Sequence, residues 1–105
     1  MFNIIARRTL NQYCEKYPEA AEALRKWYSE VSKAEFANFN ELKAAYGNAS
    51  LVSDNRIVLN ICGNKFRLVV RVNFQFRSMM IKWFGTHKEY DQIDVTEIQY
   101  KKDGN

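Results

Sequence analysis

Hydrophobic residues in the first half of the chain recur at helical spacing. The first set shares one face of a predicted helix and consists of Ala6, Leu10, Tyr13, Cys14 and Tyr17. Pro18 interrupts this pattern and suits the first turn of a second helix. The apolar stripe of that helix consists of Ala20, Ala23, Leu24, Trp27 and Val31. Two such helices joined by a tight turn are expected to pack as a hairpin.

The second half of the chain changes to the period of two that is typical of strands. A short predicted helix over residues 40–47, capped by Asn40 and stopped by Gly47, precedes the change. Strands are predicted over residues 2–5, 49–53, 56–62, 65–72 and 77–84. Thr86 and Glu89 have the spacing of a capping box, which predicts the start of a last helix. The pattern indicates an α+β fold, with two N-terminal helices on one face of an antiparallel sheet of four to five strands.

One hairpin gives the sharpest expectation. Gly63-Asn64 suits a two-residue type II′ loop, and this turn fixes the register so that paired residue numbers sum to 127. One face is then wholly apolar and must pack on the helices: Ile57, Leu59, Ile61, Phe66, Leu68 and Val70. The opposite face carries Arg56, Asn60, Lys65, Arg67 and Arg71, separated by Val58 and Val69. Lys82 has the opposite parity to Met79, Ile81 and Trp83, which predicts that these three point towards the core and that Lys82 points away from it, onto the polar face.

The charge distribution supports a role for that face. The chain has 105 residues and a net charge of +4, a size that favours one domain over residues 1–100 with a polar tail over 101–105. Residues 55–88 hold seven cations and no acid. Cations directly opposite each other, such as Arg56 and Arg71, repel, so a polyanionic partner explains them better than stability does. A solvated face that is merely basic is the alternative.

Several classes of protein are excluded or disfavoured. No apolar run approaches the ~20 residues that span a bilayer, and no signal peptide is recognisable at the N-terminus. Cys14 and Cys62 form no CxxC pair and are interpreted as thiols in a reducing cytosol. The sequence contains no metal-ligand spacing, phosphate loop or Ser-His-Asp set, so no metal or cofactor is expected.

His87 is the only histidine, and it follows the last predicted strand. Tyr90 and Asp91 lie three and four residues later, on the same face of the predicted helix. Such a group beside an arginine-lined surface is suited to acid–base chemistry on a phosphodiester. In RNA the 2′-hydroxyl is an internal nucleophile, so this reaction requires no metal.

Two segments resemble a known family in order and separation. They are the hairpin RIVLNICGNKFRLVVRV, residues 56–72, and KWFGTHKEYD, residues 82–91. Both resemble HigB-type toxins of the RelE-like superfamily of mRNA interferases, and the resemblance covers roughly residues 3–95. It implies a microbial-RNase-like fold and a cytoplasmic toxin of a type II toxin–antitoxin pair. It further implies that the toxin is an endoribonuclease that cleaves mRNA, usually on the translating ribosome. The implied partner is a helix-turn-helix, HigA-like antitoxin, and the toxin would contact operator DNA only through this antitoxin.

The resemblance also implies roles for individual residues. Arg67 corresponds to the arginine that stabilises the transition-state phosphate, and Lys65 and Arg71 correspond to phosphate-gripping residues. His87 and Tyr90 match the catalytic element, in which superfamily members vary. The remaining candidates on the polar face for contacts to RNA phosphates are Asn60, Lys82, Lys88 and Arg56, and Asp91 is expected to support its neighbours.

Two other functions are compatible with the residues. A non-catalytic RNA-binding module would use the same basic face, with Phe74, Phe76 and Trp83 available for base stacking. A structural protein would dock an acidic partner on it. New 5′ ends in mRNA would favour the endoribonuclease over the RNA-binding module. Salt-dependent affinity for a protein, without affinity for RNA, would favour the structural protein.

Overall fold

The structure, a computed structural model, describes residues 2–5, 7–53 and 55–93 and contains four helices and five strands there. The helices are α1 (Arg7–Lys16), α2 (Pro18–Lys33), α3 (Phe39–Ala45) and α4 (His87–Tyr90). The strands are β1 (Asn3–Ile5), β2 (Ser50–Ser53), β3 (Arg56–Ile61), β4 (Phe66–Asn73) and β5 (Ser78–Thr86). Their order across the sheet is β1-β5-β4-β3-β2.

The predicted fold class is confirmed, with one difference in strand direction. Strands β2 to β5 form an antiparallel meander, as the alternating pattern predicts. Strand β1 pairs with β5 in parallel, so the five-stranded sheet is mixed. Pairing between two strands more than 70 positions apart is a tertiary contact, and the local period of the sequence holds no information on it.

Helices α1 and α2 cover one face of the sheet. Helix α2 starts at Pro18, as expected, and contacts β1 and β3, while α1 contacts β5. Four residues of the apolar stripe of α2 are buried in the core, namely Ala20, Leu24, Trp27 and Val31. In α1 the buried members of the predicted stripe are Leu10 and Cys14. Three predictions lie outside the described residues: Ala6 in the stripe, the end of the domain and the polar tail. Within the described part of the chain, no helix is both long and apolar enough to cross a membrane.

The register of the central hairpin is confirmed at every pair from Arg56–Arg71 to Ile61–Phe66. The apolar face predicted for this hairpin lies entirely in the core. Gly63 has a φ of +66°, the sign that the first central position of the turn requires. The ladder nevertheless ends at Ile61, one residue earlier than predicted, because Cys62 has a φ of +57° and leaves the strand.

The bounds of α3 differ from those predicted. Asn38, rather than Asn40, caps the helix, and its Oδ1 accepts a hydrogen bond of 3.0 Å from the Glu41 amide. The Glu41 carboxylate in turn accepts from the Ala37 amide at 2.9 Å. Asn38 has Glu three positions later, the capping-box spacing that Asn40 lacks, and this is the signal that decides between the two asparagines.

A β-bulge changes which residues of β5 face the helices. Val69 pairs with Trp83 but Val70 pairs with Ile81, so Lys82 is an extra residue in the ladder. A bulge breaks the alternation of side chains. Met79 and Ile81 lie in the core as predicted, whereas Trp83 is shifted to the face opposite the helices. The expectation that Trp83 points towards the core is therefore wrong.

Candidate active site

The sheet face opposite the helices gathers the predicted polar side chains. We call it the basic face, defined by Arg56, Asn60, Arg67, Arg71 and Lys82. Along β3 and β4 the pairs alternate from Arg56–Arg71 through Val58–Val69 to Asn60–Arg67. At about 3.4 Å per residue, the first and last of these pairs lie about 14 Å apart. The face therefore has two polar ends separated by a valine pair.

Arg67 is held in a fixed position at one end of this face. Its Nη1 donates to the backbone oxygens of Asn64, at 3.1 Å, and Phe66, at 3.2 Å. Its Nη2 donates to Asn64 Oδ1 at 3.2 Å, and the same oxygen accepts from Asn60 Nδ2 at 3.1 Å. A guanidinium has five N–H donors, so donors remain for an anion. Asn64, which the sequence analysis did not single out as a site residue, orients this arginine.

Helix α4 brings His87 to the turn of the same hairpin. The His87 amide donates to the Lys65 carbonyl at 2.9 Å, and the predicted capping box between Thr86 and Glu89 is present. His87 Nδ1 lies 3.7 Å from Asp91 Oδ1, and both side chains are more than half exposed. Asp91 is thus close enough to orient the imidazole electrostatically, although the distance exceeds that of a hydrogen bond.

A tyrosine of the helical hairpin fastens α4 from the other side. Tyr17 stacks edge-on against Phe66 and Phe84, with ring centroids at 5.3 and 5.6 Å. Its hydroxyl donates to Glu89 Oε1 at 2.8 Å, and the same oxygen accepts from the Thr86 amide at 2.8 Å. Burial, followed by the bond to Glu89, raises the pKa of Tyr17 to about 12. The hydrogen bond from the Thr86 amide is the main cause of a lowered pKa at Glu89.

Tyr90, Trp83 and Arg67 converge around Gly85. Arg67 pairs with Gly85 across the ladder, and the rings of Trp83 and Tyr90 lie 6.2 Å apart at 54°. Burial raises the pKa of Tyr90, and the positive charge of Arg67 opposes that rise. A phenol with a raised pKa stays protonated at neutral pH and is therefore a hydrogen-bond donor to an anion.

The other end of the basic face concentrates charge beneath the surface. Arg56 and Lys82 are both only 8% exposed, whereas Arg71 is exposed. Burial, followed by the charges of Arg56 and then Arg71, lowers the pKa of Lys82. Lys82 therefore joins the basic face as predicted, but its burial and that of Arg56 leave Arg71 as the most accessible cation of this cluster. A solubility role for Arg56 does not fit its burial.

The remaining candidates differ in how they relate to these clusters. Lys65 and Lys88 are exposed and flank the position of His87 in the hairpin turn and in α4. Arg77 is bound to Glu35 at 2.6 Å, which neutralises one cation of the acid-free segment. Phe74 packs against the core, and Phe76 lies in the β4–β5 turn, at the opposite end of β5 from Arg67.

The described residues contain no disulfide and no cluster of metal ligands. Cys14 and Cys62 are free thiols, the first buried and the second half-buried. Burial raises the pKa of the Cys14 thiol, which is the behaviour of an unreactive core residue. No group of three His, Cys, Asp or Glu side chains lies close enough within these residues to hold a metal ion.

Comparison with known proteins identifies relatives over most of the chain. The profile of a family described as a RelE-like toxic component of a toxin-antitoxin system matches residues 20–93. The "mRNA interferase HigB" of Escherichia coli O6:H1 is 27% identical over 93 residues, which are 87% of this chain and 90% of that protein. The "mRNA interferase toxin HigB" of Escherichia coli K12 is 31% identical over 91 residues, and the Shigella flexneri "mRNA interferase HigB" is similar to the same degree. These 91 residues are 85% of this chain and 88% of each relative.

The family match extends from α2 through strands β2 to β5 to α4, the elements that carry the basic face, His87 and Tyr90. It thereby includes both segments on which the resemblance in the sequence rests. The chain belongs to the HigB toxin family, the RelE-like toxic components of toxin–antitoxin systems.

Proposed function

We propose that this toxin is an endoribonuclease that cleaves mRNA at the Arg67 end of the basic face. The observation that carries the proposal is the meeting of one oriented arginine with His87 and Tyr90 on a cationic surface. The names of the relatives, which describe mRNA interferases, point to the same substrate. A face that carries cations along neighbouring strands suits an extended, negatively charged strand better than it suits a small molecule.

The proposed reaction uses the substrate's own 2′-hydroxyl. This oxygen attacks the adjacent phosphorus, the P–O5′ bond breaks, and a 2′,3′-cyclic phosphate and a 5′-hydroxyl are left. Arg67 stabilises the extra negative charge of the phosphorane, because its position is fixed by Asn64 before substrate arrives. An internal nucleophile needs no metal to generate it, so the proposal includes none.

Proton transfer is assigned to α4. We place His87 as the residue that exchanges a proton with a reacting oxygen, with Asp91 orienting it. Tyr90 donates a hydrogen bond to the phosphate, since its raised pKa keeps the phenol protonated. Loss of His87 therefore slows the chemical step, whereas loss of Tyr90 weakens substrate positioning as well.

The RNA path extends from the reaction centre along the face. Arg71 contacts an RNA phosphate directly. The buried Arg56 and Lys82 attract the RNA through the positive electrostatic potential that they add to this face. Lys65, Lys88 and Asn60 contact the phosphates beside Arg67. We place the reaction in the cytoplasm, on the translating ribosome. The partner that neutralises the toxin is a helix-turn-helix, HigA-like antitoxin, and operator DNA is contacted by the antitoxin and not by the toxin.

The test is a map of mRNA 5′ ends after incubation with translating ribosomes. Wild type is expected to create new ends, and Arg67→Ala is expected to create them about 10² to 10³ times more slowly. His87→Ala should also lose activity, while Arg25→Ala, which removes an exposed arginine of α2, should match wild type. Binding to RNA without new ends in any sample would favour a non-catalytic RNA-binding module instead.

A further inference from the structure

Trp83 occupies an unusual position for a large aromatic residue. The bulge at Lys82 turns Trp83 to the basic face, where it is only half-buried and makes no part of the hydrophobic core. Its described ring contact is with Tyr90, a member of the proposed reaction centre. Trp83 thus lies opposite the buried Val69 in the ladder and outside the main hydrophobic core.

Gly85 leaves the space in which the indole lies. A Cβ at position 85 would lie 2.6 Å from Cη2 and 2.8 Å from Cζ2 of Trp83, closer than real contacts allow. The ring therefore lies along β5 against the bare backbone of Gly85, the residue that pairs with Arg67. The lack of a side chain at position 85 thus lets the indole lie over the residue that is opposite Arg67 in the ladder.

We infer that Trp83 is the platform on which a base of the substrate RNA stacks next to the phosphate held by Arg67, and that Gly85 is the positioning residue for the ring. This inference rests on the proposed function, since it places the base relative to Arg67. Aromatic side chains interleaved with cations bind single strands because every base offers a π-face. A stacked base fixes the neighbouring phosphate, and so determines which bond Arg67 and His87 meet.

The test measures binding separately from cleavage. The probe is a mixed-sequence RNA of about ten nucleotides with 2′-O-methyl groups, which block the proposed nucleophile. Trp83→Ala is expected to bind it about tenfold more weakly than wild type, and Trp83→Phe within about threefold, because phenylalanine also stacks. Gly85→Ala should also bind more weakly although it retains the indole, because the added Cβ would displace the ring and would in addition lie 2.9 Å from Glu89 Oε1. Phe76→Ala is the matched control, since Phe76 is 73% exposed but far from Arg67, and it should bind like wild type.

Tryptophan fluorescence provides a second, independent readout. The only other tryptophan, Trp27, is 3% exposed in the core, so RNA is expected to quench wild type and not Trp83→Phe. Equal quenching of both proteins, or binding by Trp83→Ala within about twofold of wild type, would overturn the inference. If Arg67→Ala loses cleavage while Trp83→Ala retains wild-type binding and cleavage, the reaction centre stands and the stacking platform is rejected.

Discussion

The hydroxyl of Tyr17 donates a hydrogen bond of 2.8 Å to Glu89 Oε1, the oxygen that also caps α4. The ring of Tyr17 is wedged against Phe66 and Phe84, which stack on each other at 5.3 Å. The hydrophobic core is thereby connected through one phenol to the helix that carries His87 and Tyr90. A four-residue helix has little stability of its own, so this contact helps to position it, together with the bond from the His87 amide to the Lys65 carbonyl.

Removal of the Tyr17 hydroxyl is expected to affect stability and activity together. Tyr17→Phe should lower the free energy of unfolding by about 1 kcal/mol, the typical value of a hydrogen bond. It should also slow RNA cleavage about tenfold, because α4 is less firmly held. Chemical denaturation and a cleavage assay on the same preparation measure both effects.

Tyr46 offers a matched control for that variant. Its hydroxyl donates to Glu30 Oε1 at 2.9 Å, an equivalent bond that does not involve α4. Tyr46→Phe should therefore cost a similar free energy of unfolding and leave cleavage unchanged. Equal loss of cleavage in both variants would show that general destabilisation, and not the position of α4, is responsible.

The lowered pKa of Glu89 predicts a dependence of stability on acid. A carboxyl whose folded-state pKa is depressed contributes stability above its unfolded pKa of about 4.3 and loses it as pH falls through the folded value. Glu89→Gln lacks this titration. The difference in melting temperature between wild type and Glu89→Gln should therefore shrink between about pH 7 and about pH 3, and a constant difference would contradict the assignment.

Lys82 is expected to trade stability for RNA binding. The residue is only 8% exposed, and its pKa is lowered by burial and then by Arg56 and Arg71, so the charge costs free energy in the absence of RNA. Lys82→Met should raise the free energy of unfolding by about 1 kcal/mol. It should also reduce the slope of log RNA affinity against log salt concentration by about one. Lys65→Met removes an exposed cation, and should weaken RNA binding with no gain in stability.

The turn at Gly63 supplies a further test of how the reaction centre is built. A Cβ at Gly63 meets no atom within 4 Å, so only its φ of +66° opposes a side chain there. Gly63→Ala should cost about 1 kcal/mol of stability and slow cleavage, because the turn carries Asn64, which holds Arg67. Gly47 also has open space but no positive φ, and Gly47→Ala should change neither property.

The sequence predicts those parts of the site that depend on local periodicity. The turn at Gly63-Asn64 and the alternation of β3 and β4 place Arg67, Asn60 and Arg71 on one face, and the structure confirms that register. The capping box likewise locates His87 at the start of α4. Each of these features is encoded within a few neighbouring residues.

Contacts set by tertiary structure could not be predicted in the same way. The bond from Tyr17 to Glu89 joins residues 72 positions apart, and no local pattern indicates it. The bulge at Lys82 inserts one residue into a ladder, which a period of two cannot reveal, and Trp83 was therefore assigned to the wrong face. The burial of Arg56 similarly depends on the packing around it.

The chemistry of the cut ends shows whether RNA is cleaved by its own 2′-hydroxyl at Arg67. Wild-type protein should leave 5′-hydroxyl and 2′,3′-cyclic phosphate termini on mRNA bound to translating ribosomes, and should not cleave the same RNA when the 2′-hydroxyl beside the cut is replaced by hydrogen. Ends carrying a 5′-phosphate and a 3′-hydroxyl, or cleavage of the deoxy-substituted RNA, would contradict the account.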